Sequence, residues 1–173
     1  DLWRFALPGT RAFCRGLRLQ PFDFAIWHEL ATQTPATDAP RYREMLDHGT
    51  AIETYFQREI EGLAKSQLRM PARLRGDPVD VLQAVRHAQP VIAEGDLAWL
   101  AVRGIAVNAN ALVASELGNL LAEQSGTFGL IWQLSGDGEI KASLRSKSAF
   151  DVAAIAARYG GGGHRNAAGL RMA

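Results

Sequence analysis

Four consecutive glycines at positions 160–163, followed directly by His164, constrain the fold of this 173-residue chain more than any other feature. Glycine reaches backbone conformations that other residues avoid, and successive glycine N–H groups can turn toward one point and bind an anion. The His164 ring adds a group that can donate to the same anion. Because glycine runs also occur in flexible linkers, the run alone predicts either a phosphate-binding turn or a linker.

The neighbours of the glycines favour a structured turn. Ser148 and Asp151 have capping-box spacing, with Ser148 as the N-cap of a short helix. An apolar stripe at helical spacing follows, made of Val152, Ile155, Ala156 and Tyr159. Residues 167–172 are small and apolar, which is typical of a buried terminal strand. We therefore predict a helix, a glycine turn and a final strand in this order.

Hydrophobic periodicity predicts helices in the first two thirds of the chain. The longest amphipathic pattern covers residues 41–67, and residues 1–8 alternate in the manner of a strand or an extended arm. A later helix should end at Gly126, with Asn108 and Asn110 able to cap its start. Its predicted buried face consists of Leu112, Val113, Leu117, Leu120 and Leu121.

Strand signals alternate with these helices. Residues 69–78 contain two prolines and predict a strand edge or a loop, and residues 100–107 predict a strand. Residues 128–134 and 139–145 flank a glycine-rich turn and predict a hairpin. The predicted fold class is α/β: a mixed β-sheet flanked by helices, preceded by a long amphipathic linker helix and a small N-terminal helical or extended segment.

Composition limits where an anion could bind. The net charge is only +1, so any attraction for nucleic acid has to be local. A single cysteine, Cys14, rules out an intrachain disulfide and favours a reducing, cytoplasmic location. The longest apolar stretch is shorter than a membrane span, so we predict no membrane partner.

Arg145 and Ser146 end the second hairpin strand, shortly before the helix that leads to the glycines. An Arg145 fork could hold two phosphate oxygens while glycine amides and His164 hold others, although a solvated Arg145 and a structural His164 remain alternatives. The sequence contains no Gly-x-Ser-x-Gly, His-Glu-x-x-His or Walker pattern. The neighbours Asp47 and His48 are explained by a solvated helix flank, so we predict neither a catalytic residue nor a metal site in this chain.

Several of these segments resemble the DHH-associated C-terminal domain of the DHH phosphoesterases. The matching segments are residues 143–146, 151–152, 155–156 and the Gly-Gly-Gly-Gly-His-Arg-Asn-Ala-Ala-Gly run at 160–169, together with 108–110 and 115–118. The superfamily includes RecJ-like single-strand exonucleases, oligoribonucleases, cyclic-dinucleotide phosphodiesterases and phosphoadenosine-phosphate phosphatases. The resemblance covers about residues 69–173.

The resemblance implies a division of the chain and of the chemistry. Residues 1–40 would be an arm packing on a missing N-terminal domain, residues 41–68 a linker helix, and residues 69–173 the substrate-binding domain. In the family, the N-terminal domain carries a two-manganese centre with an Asp-His-His signature, which does not occur in this sequence. We therefore expect this chain to bind a phosphoester without hydrolysing it, manganese belonging to the missing DHH domain.

The resemblance also implies which residues bind the substrate. By matching position, Arg145, Gly161, Gly162, Gly163 and His164 would contact the phosphate or nucleotide. We add Ser146 and Asn166 to this set as candidate contacts. The expected ligand is a nucleotide or a short single-stranded oligonucleotide.

Two other functions remain open at this point. One is a stand-alone nucleic-acid-binding module similar to the C-terminal domain of alanyl-tRNA synthetases, against which the His164 ending argues. The other is a homodimerisation domain that uses the amphipathic helix, with Phe56 and Ile60 as contacts, and the N-terminal aromatic residues.

Overall fold

A computed structural model describes residues 7–32, 40–147 and 149–172 of the chain. They fall into two compact units, Asp1–Glu59 and Ile60–Ala173. Most of the predicted N-terminal arm at residues 1–8 lies outside the described residues. None of the helices in the described ranges is both long and apolar enough to cross a membrane.

The described residues of the first unit form helices. They are α1 (Thr10–Leu17), α2 (Phe24–Thr32) and the larger part of α3 (Pro40–Lys65), which confirms the long helix predicted for residues 41–67. A Cβ atom on Gly16 would lie 2.1 Å from the Met45 carbonyl oxygen, and one on Gly49 would lie 1.9 Å from the Ala12 carbonyl oxygen. Glycine at these two positions therefore lets α1 and α3 pack backbone against backbone.

The two residues chosen for the dimerisation hypothesis are not free surface residues. Ile60 is buried, with 3% of its surface exposed. The ring of Phe56 lies under the Arg15 guanidinium, 4.2 Å from ring centroid to Cζ. The structure therefore offers no support for self-association through this pair.

The second unit is built on a mixed sheet flanked by helices, which confirms the predicted fold class. Its strands are β1 (Arg69–Pro78), β2 (Val91–Glu94), β3 (Leu97–Asn108), β4 (Phe128–Leu134), β5 (Ile140–Ser146), β6 (Gly162–His164) and β7 (Ala167–Met172). Its helices are α4 (Val81–Arg86), α5 (Ala114–Ser125) and α6 (Val152–Ala157), in addition to the end of α3. The strand order is β1-β3-β4-β5-β7-β6, and β2 pairs with β3.

Strand direction follows from the connections. The β3–β4 pair, joined through α5, is parallel, and the other pairs are antiparallel. Strand β1, which was predicted as an edge or a loop, lies at one end of the main strand order. Its prolines Pro71 and Pro78 fit there because an end strand needs a ladder of hydrogen bonds on one side only.

The two faces of the sheet are covered differently. Helix α6 packs on one face, where the core contains Phe128, Leu130, Ala142, Leu144, Val152, Ile155, Ala156, Ala168 and Leu170. Helix α5 packs on the opposite face over β3, β4 and β5. A Cβ atom on Gly129 of β4 would lie 2.2 Å from the Gly118 carbonyl oxygen of α5, which shows how closely this helix approaches the sheet.

The capping residues differ from the prediction at α6. Asp151, not Ser148, is the N-cap, since its carboxylate accepts from the N–H groups of Ala153 and Ala154 at 2.9 and 3.0 Å. Ser148 itself lies outside the described residues. The Asp151 carboxylate thus bonds the N–H groups two and three residues further along the chain, which is the pattern of an N-cap, so the helix begins at Val152.

The start of the α5 segment also differs in part. Asn110 caps a short 3₁₀ turn (Ala111–Val113) by accepting from the Leu112 N–H at 2.9 Å. Asn108 instead donates its amide to the Trp132 carbonyl oxygen at 2.9 Å, which ties β3 to β4. Leu112 is 66% exposed and does not belong to the predicted buried face, because the 3₁₀ turn shifts its orientation relative to an α-helix. The helix ends at Gly126, as predicted.

Candidate functional site

The first half of the glycine run ends helix α6. The Gly160 N–H donates to the Ala157 carbonyl oxygen at 3.1 Å, and the Gly161 N–H donates to the Ala156 carbonyl oxygen at 2.9 Å. Gly160 has a φ of +73°, so the two bonds form a Schellman cap. These two amides therefore serve the helix, and the predicted concave turn of four glycine N–H groups is not formed.

The second half of the run is a strand. Residues Gly162–His164 form β6, which pairs on one side with β7 and ends the strand order. Arg165 and Asn166 make the short turn between the two strands. Because an end strand has neighbours on one side only, the backbone of β6 is accessible from the side away from β7.

Three of the four glycines are required by the fold. Gly160 has the positive φ of the cap, and a Cβ atom on Gly161 would lie 2.2 Å from the Gly169 carbonyl oxygen. Gly163 combines a φ of +147° with a Cβ position 2.5 Å from the Ala167 carbonyl oxygen. These contacts are shorter than carbon and oxygen atoms can approach, so larger residues would displace the backbone.

Gly162 has no such requirement. A Cβ atom at this position would meet no atom within 4 Å among the described residues, and its φ lies outside the positive range. The residue is exposed and borders an open cleft of about 480 Å³. Glycine in a strand is less stable than a residue with a side chain, so its use at an open position is consistent with close approach of a ligand to the backbone.

Strand register brings Arg145 and His164 to the same face. Arg145 of β5 lies opposite Ala167 of β7, and Ala167 lies opposite His164 of β6. Directly opposite residues of antiparallel strands project from the same face of the sheet, and two such steps span about 10 Å between Cα atoms. The residue between them, Ala167, has a small side chain. Arg145 and His164 can therefore flank one ligand.

The Arg145 guanidinium is held in place by two hydrogen bonds. It donates to Ser115 Oγ at 3.0 Å and to the Leu144 carbonyl oxygen at 2.9 Å. Burial lowers the pKa of Arg145 and the Glu116 carboxylate raises it, but a guanidinium remains charged at neutral pH. Two of its five N–H groups are used in this way, so the others can serve an anion.

Helix α5 supports Arg145 through residues that the sequence analysis assigned no role. A Cβ atom on Gly118 would lie 2.7 Å from Arg145 Cγ, so glycine at this position makes room for the stem of the arginine. Ser115 supplies the hydrogen-bond acceptor. Both residues lie in the 115–118 segment, which carried part of the family resemblance. That resemblance was the one sequence feature that could have identified them.

Ser146 lies on the sheet face opposite Arg145, and Asn166 is an exposed residue of the β6–β7 turn. Ser146 is 2% exposed, and its hydroxyl donates to the Phe150 carbonyl oxygen at 2.7 Å. The Asn166 amide donates to Ser146 Oγ at 3.0 Å, and the Ser146 N–H donates to the Asn166 carbonyl oxygen at 3.2 Å. The pair joins the end of β5 to the β6–β7 turn, next to Arg145 and His164. Ser146 is thus placed to support the β6–β7 turn, whereas we had predicted that it contacts the ligand.

Replacing Ser146 by alanine should destabilise the second unit. The change removes a buried hydroxyl together with its hydrogen bond to the Phe150 carbonyl oxygen, which should cost about 1–3 kcal/mol of unfolding free energy. Urea unfolding followed by circular dichroism measures this cost. The control is Ser143→Ala on the same strand, where the side chain is half-buried and the change should stay within about 0.5 kcal/mol. Equal stabilities of the two variants would contradict the supporting role.

The described residues do not fit a metal centre. They contain no group of three or more His, Cys, Asp or Glu side chains that could hold a metal ion. Asp47 and His48 lie on α3.

Comparison with known proteins supports the C-terminal assignment. Residues 100–173 match the family model of the DHHA1 domain, the DHH-associated domain of DHH-family phosphoesterases. The match includes β5, the glycine run and β7, and it begins later than residue 69, where we placed the start of the resemblance. No curated protein matches the chain.

Proposed function

We propose, from the DHHA1 domain that residues 100–173 form, that this chain is the substrate-binding part of a DHH-family phosphoesterase. DHHA1 domains are associated with that family, and the catalytic DHH domain is not present in these 173 residues. The proposed ligand is a nucleotide or a short oligonucleotide. The proposed reaction, hydrolysis of its phosphoester bond with manganese, takes place only together with a DHH domain.

Gly162 carries this proposal. It is the glycine of the run that neither backbone conformation nor packing requires, and it lies on β6 between the exposed cleft and His164. A ligand that lies against the β6 backbone would account for glycine at this otherwise unconstrained position. The cation needed for an anionic ligand, Arg145, projects from the same sheet face.

In the proposed complex each residue has a limited task. Arg145 donates two N–H groups to one phosphate, which fixes the orientation of that phosphate as well as its position. His164 donates to a second oxygen, and Gly162 allows contact with the strand. Two residues of α5 support Arg145: Ser115 accepts its hydrogen bond, and Gly118 makes room for its stem. Ser146 supports the β6–β7 turn. The cleavage step, for which manganese would supply the activated water, belongs to the DHH domain.

The test separates binding from hydrolysis. The chain should bind a 5′-phosphorylated RNA trinucleotide in EDTA, measured by calorimetry, and should leave it intact when manganese is added. The same chain joined to a DHH domain should cleave it in manganese. Turnover by the chain alone would overturn the division of labour, and absence of binding would overturn the proposal itself. Tighter binding of transfer RNA than of the trinucleotide would favour the nucleic-acid-binding module instead.

A further inference from the structure

The cleft beside Gly162 contains a second pair of cationic side chains, outside the set predicted to bind substrate. Lys141 of β5 lies opposite Arg171 of β7, and both residues line the cleft together with Gly160, Gly161 and Gly162. Because side chains alternate along a strand, Lys141 projects from the same face as Arg145. The same face therefore has two cationic rows, one with Arg145 and His164 and one with Lys141 and Arg171.

The surface between these rows is flat. The intervening row contains Ser143, Gly169 and Gly162, which lie opposite one another on β5, β7 and β6. Two glycines and a serine leave the sheet backbone uncovered by large side chains. A chain-like ligand can therefore lie over β7 and β6, beside helix α5, from one cationic row to the other.

The second row has charge available for an anion. Within the described part of the chain, the Lys141 amine forms no hydrogen bond or ion pair. A hydrogen bond from Ser135 lowers the pKa of the exposed Asp137 carboxyl, and the Lys141 charge lowers it further. Arg171 is 68% exposed and pairs with Glu139 at 3.6 Å, Nη1 to Oε2. An exposed ion pair of this kind contributes little, so a phosphate can replace Glu139 at low cost.

The spacing of the rows selects the length of the ligand. Lys141 and Arg145 are four residues apart on one strand, which corresponds to about 13 Å. A stacked nucleic-acid strand advances about 3.4 Å per nucleotide along its axis, and an extended strand advances further. One nucleotide monophosphate therefore cannot reach both rows, whereas an extended oligonucleotide of about three nucleotides, or a stacked one of about five, can.

We infer that Lys141 and Arg171 form a second phosphate subsite, and that the ligand of this domain is a single-stranded oligonucleotide rather than a mononucleotide. The inference rests on the proposed function, since it assigns a second phosphate of the same ligand. Arg145 and His164 hold one phosphate, and the row of Ser143, Gly169 and Gly162 lies under the sugar-phosphate backbone. Lys141 and Arg171 hold a phosphate that is two or more nucleotides further along the strand.

The probes are 5′-phosphorylated oligoadenylates of one, two, three and four nucleotides, titrated against the full 173-residue chain. For the unmodified chain, affinity should rise at least tenfold between one and three nucleotides. The double variant Lys141→Ala, Arg171→Ala should lose that gain and keep the affinity for the mononucleotide. For the double variant and the tetranucleotide, the slope of log affinity against log salt concentration should be shallower by about 0.7 for each lost phosphate contact.

A matched control keeps the result specific. Arg86→Ala removes an exposed cation from α4, which follows β1 at the other end of the sheet, and should leave all four affinities unchanged. If the unmodified chain binds all four lengths equally, or if the double variant binds the trinucleotide as tightly as the unmodified chain, the second subsite is wrong and the proposed function survives. If no oligoadenylate binds, both are wrong.

Discussion

Replacing Gly163 by alanine should unfold or strongly destabilise the second unit, whereas the same change at Gly162 should leave stability intact and weaken ligand binding. At Gly163 the added methyl group meets the Ala167 carbonyl oxygen at 2.5 Å, and the φ of +147° is one that alanine avoids. Strain and overlap together should cost about 3 kcal/mol or more. For a domain of this size the melting temperature should fall by about 10 °C.

At Gly162 the added methyl group enters open space, so the unfolding free energy should change by less than about 1 kcal/mol. Affinity for a 5′-phosphorylated trinucleotide should fall about tenfold, because the methyl group keeps the ligand away from β6. Thermal unfolding and calorimetry on the two variants measure both quantities. Gly136→Ala, another position where a Cβ atom meets nothing within 4 Å among the described residues, controls for the methyl group itself. Unchanged binding by the Gly162 variant would remove the main support for the site.

Replacing Arg145 should cause the largest loss of affinity. A charge-assisted hydrogen bond contributes about 1.5–3 kcal/mol, so Arg145→Ala should weaken binding of the trinucleotide between about tenfold and a hundredfold. Arg145→Lys keeps the charge but loses the planar fork and its bonds to Ser115 and the Leu144 carbonyl oxygen, so it should recover only part of the affinity.

The control for this change is Arg73→Ala, which removes an exposed arginine from β1, the strand at the opposite end of the main order from β6. Its affinity should equal that of the unmodified chain. Melting temperatures distinguish a binding defect from unfolding, since Arg145 is half-buried. Full affinity of the Arg145→Lys variant would show that charge alone suffices and that fork geometry does not matter.

Patterning predicted the elements better than it predicted their ends. The hairpin of β4 and β5 follows from alternation and a glycine-rich turn, and the long helix α3 follows from its apolar stripe. The N-cap of α6 was misplaced because Ser148 and Asp151 both suit a helix start, and only backbone geometry distinguishes an N-cap from a residue inside the first turn. The exposure of Leu112 could not be predicted, since one 3₁₀ turn changes the direction of every side chain within it.

The site could be predicted in part. Residue type and family resemblance selected Arg145, the glycines and His164, and the register brings Arg145 and His164 to one face. The separate tasks of the four glycines could not be predicted, because all four have the same composition and only their neighbours differ. Lys141 was noticed only as one member of the polar face of a strand, since its closeness to Gly162 depends on pairing between β5, β7 and β6.

The division of tasks within the glycine run has a consequence for how such domains diverge. Selection for folding alone would preserve glycine at 160, 161 and 163, because each is fixed by the helix cap or by a close backbone contact. Only position 162 is free to vary without harm to the fold. A descendant that has lost its ligand could therefore keep a glycine-rich segment that still resembles the ancestral one. In such lineages, the residue at position 162 would indicate whether ligand binding is retained more reliably than the length of the glycine run would.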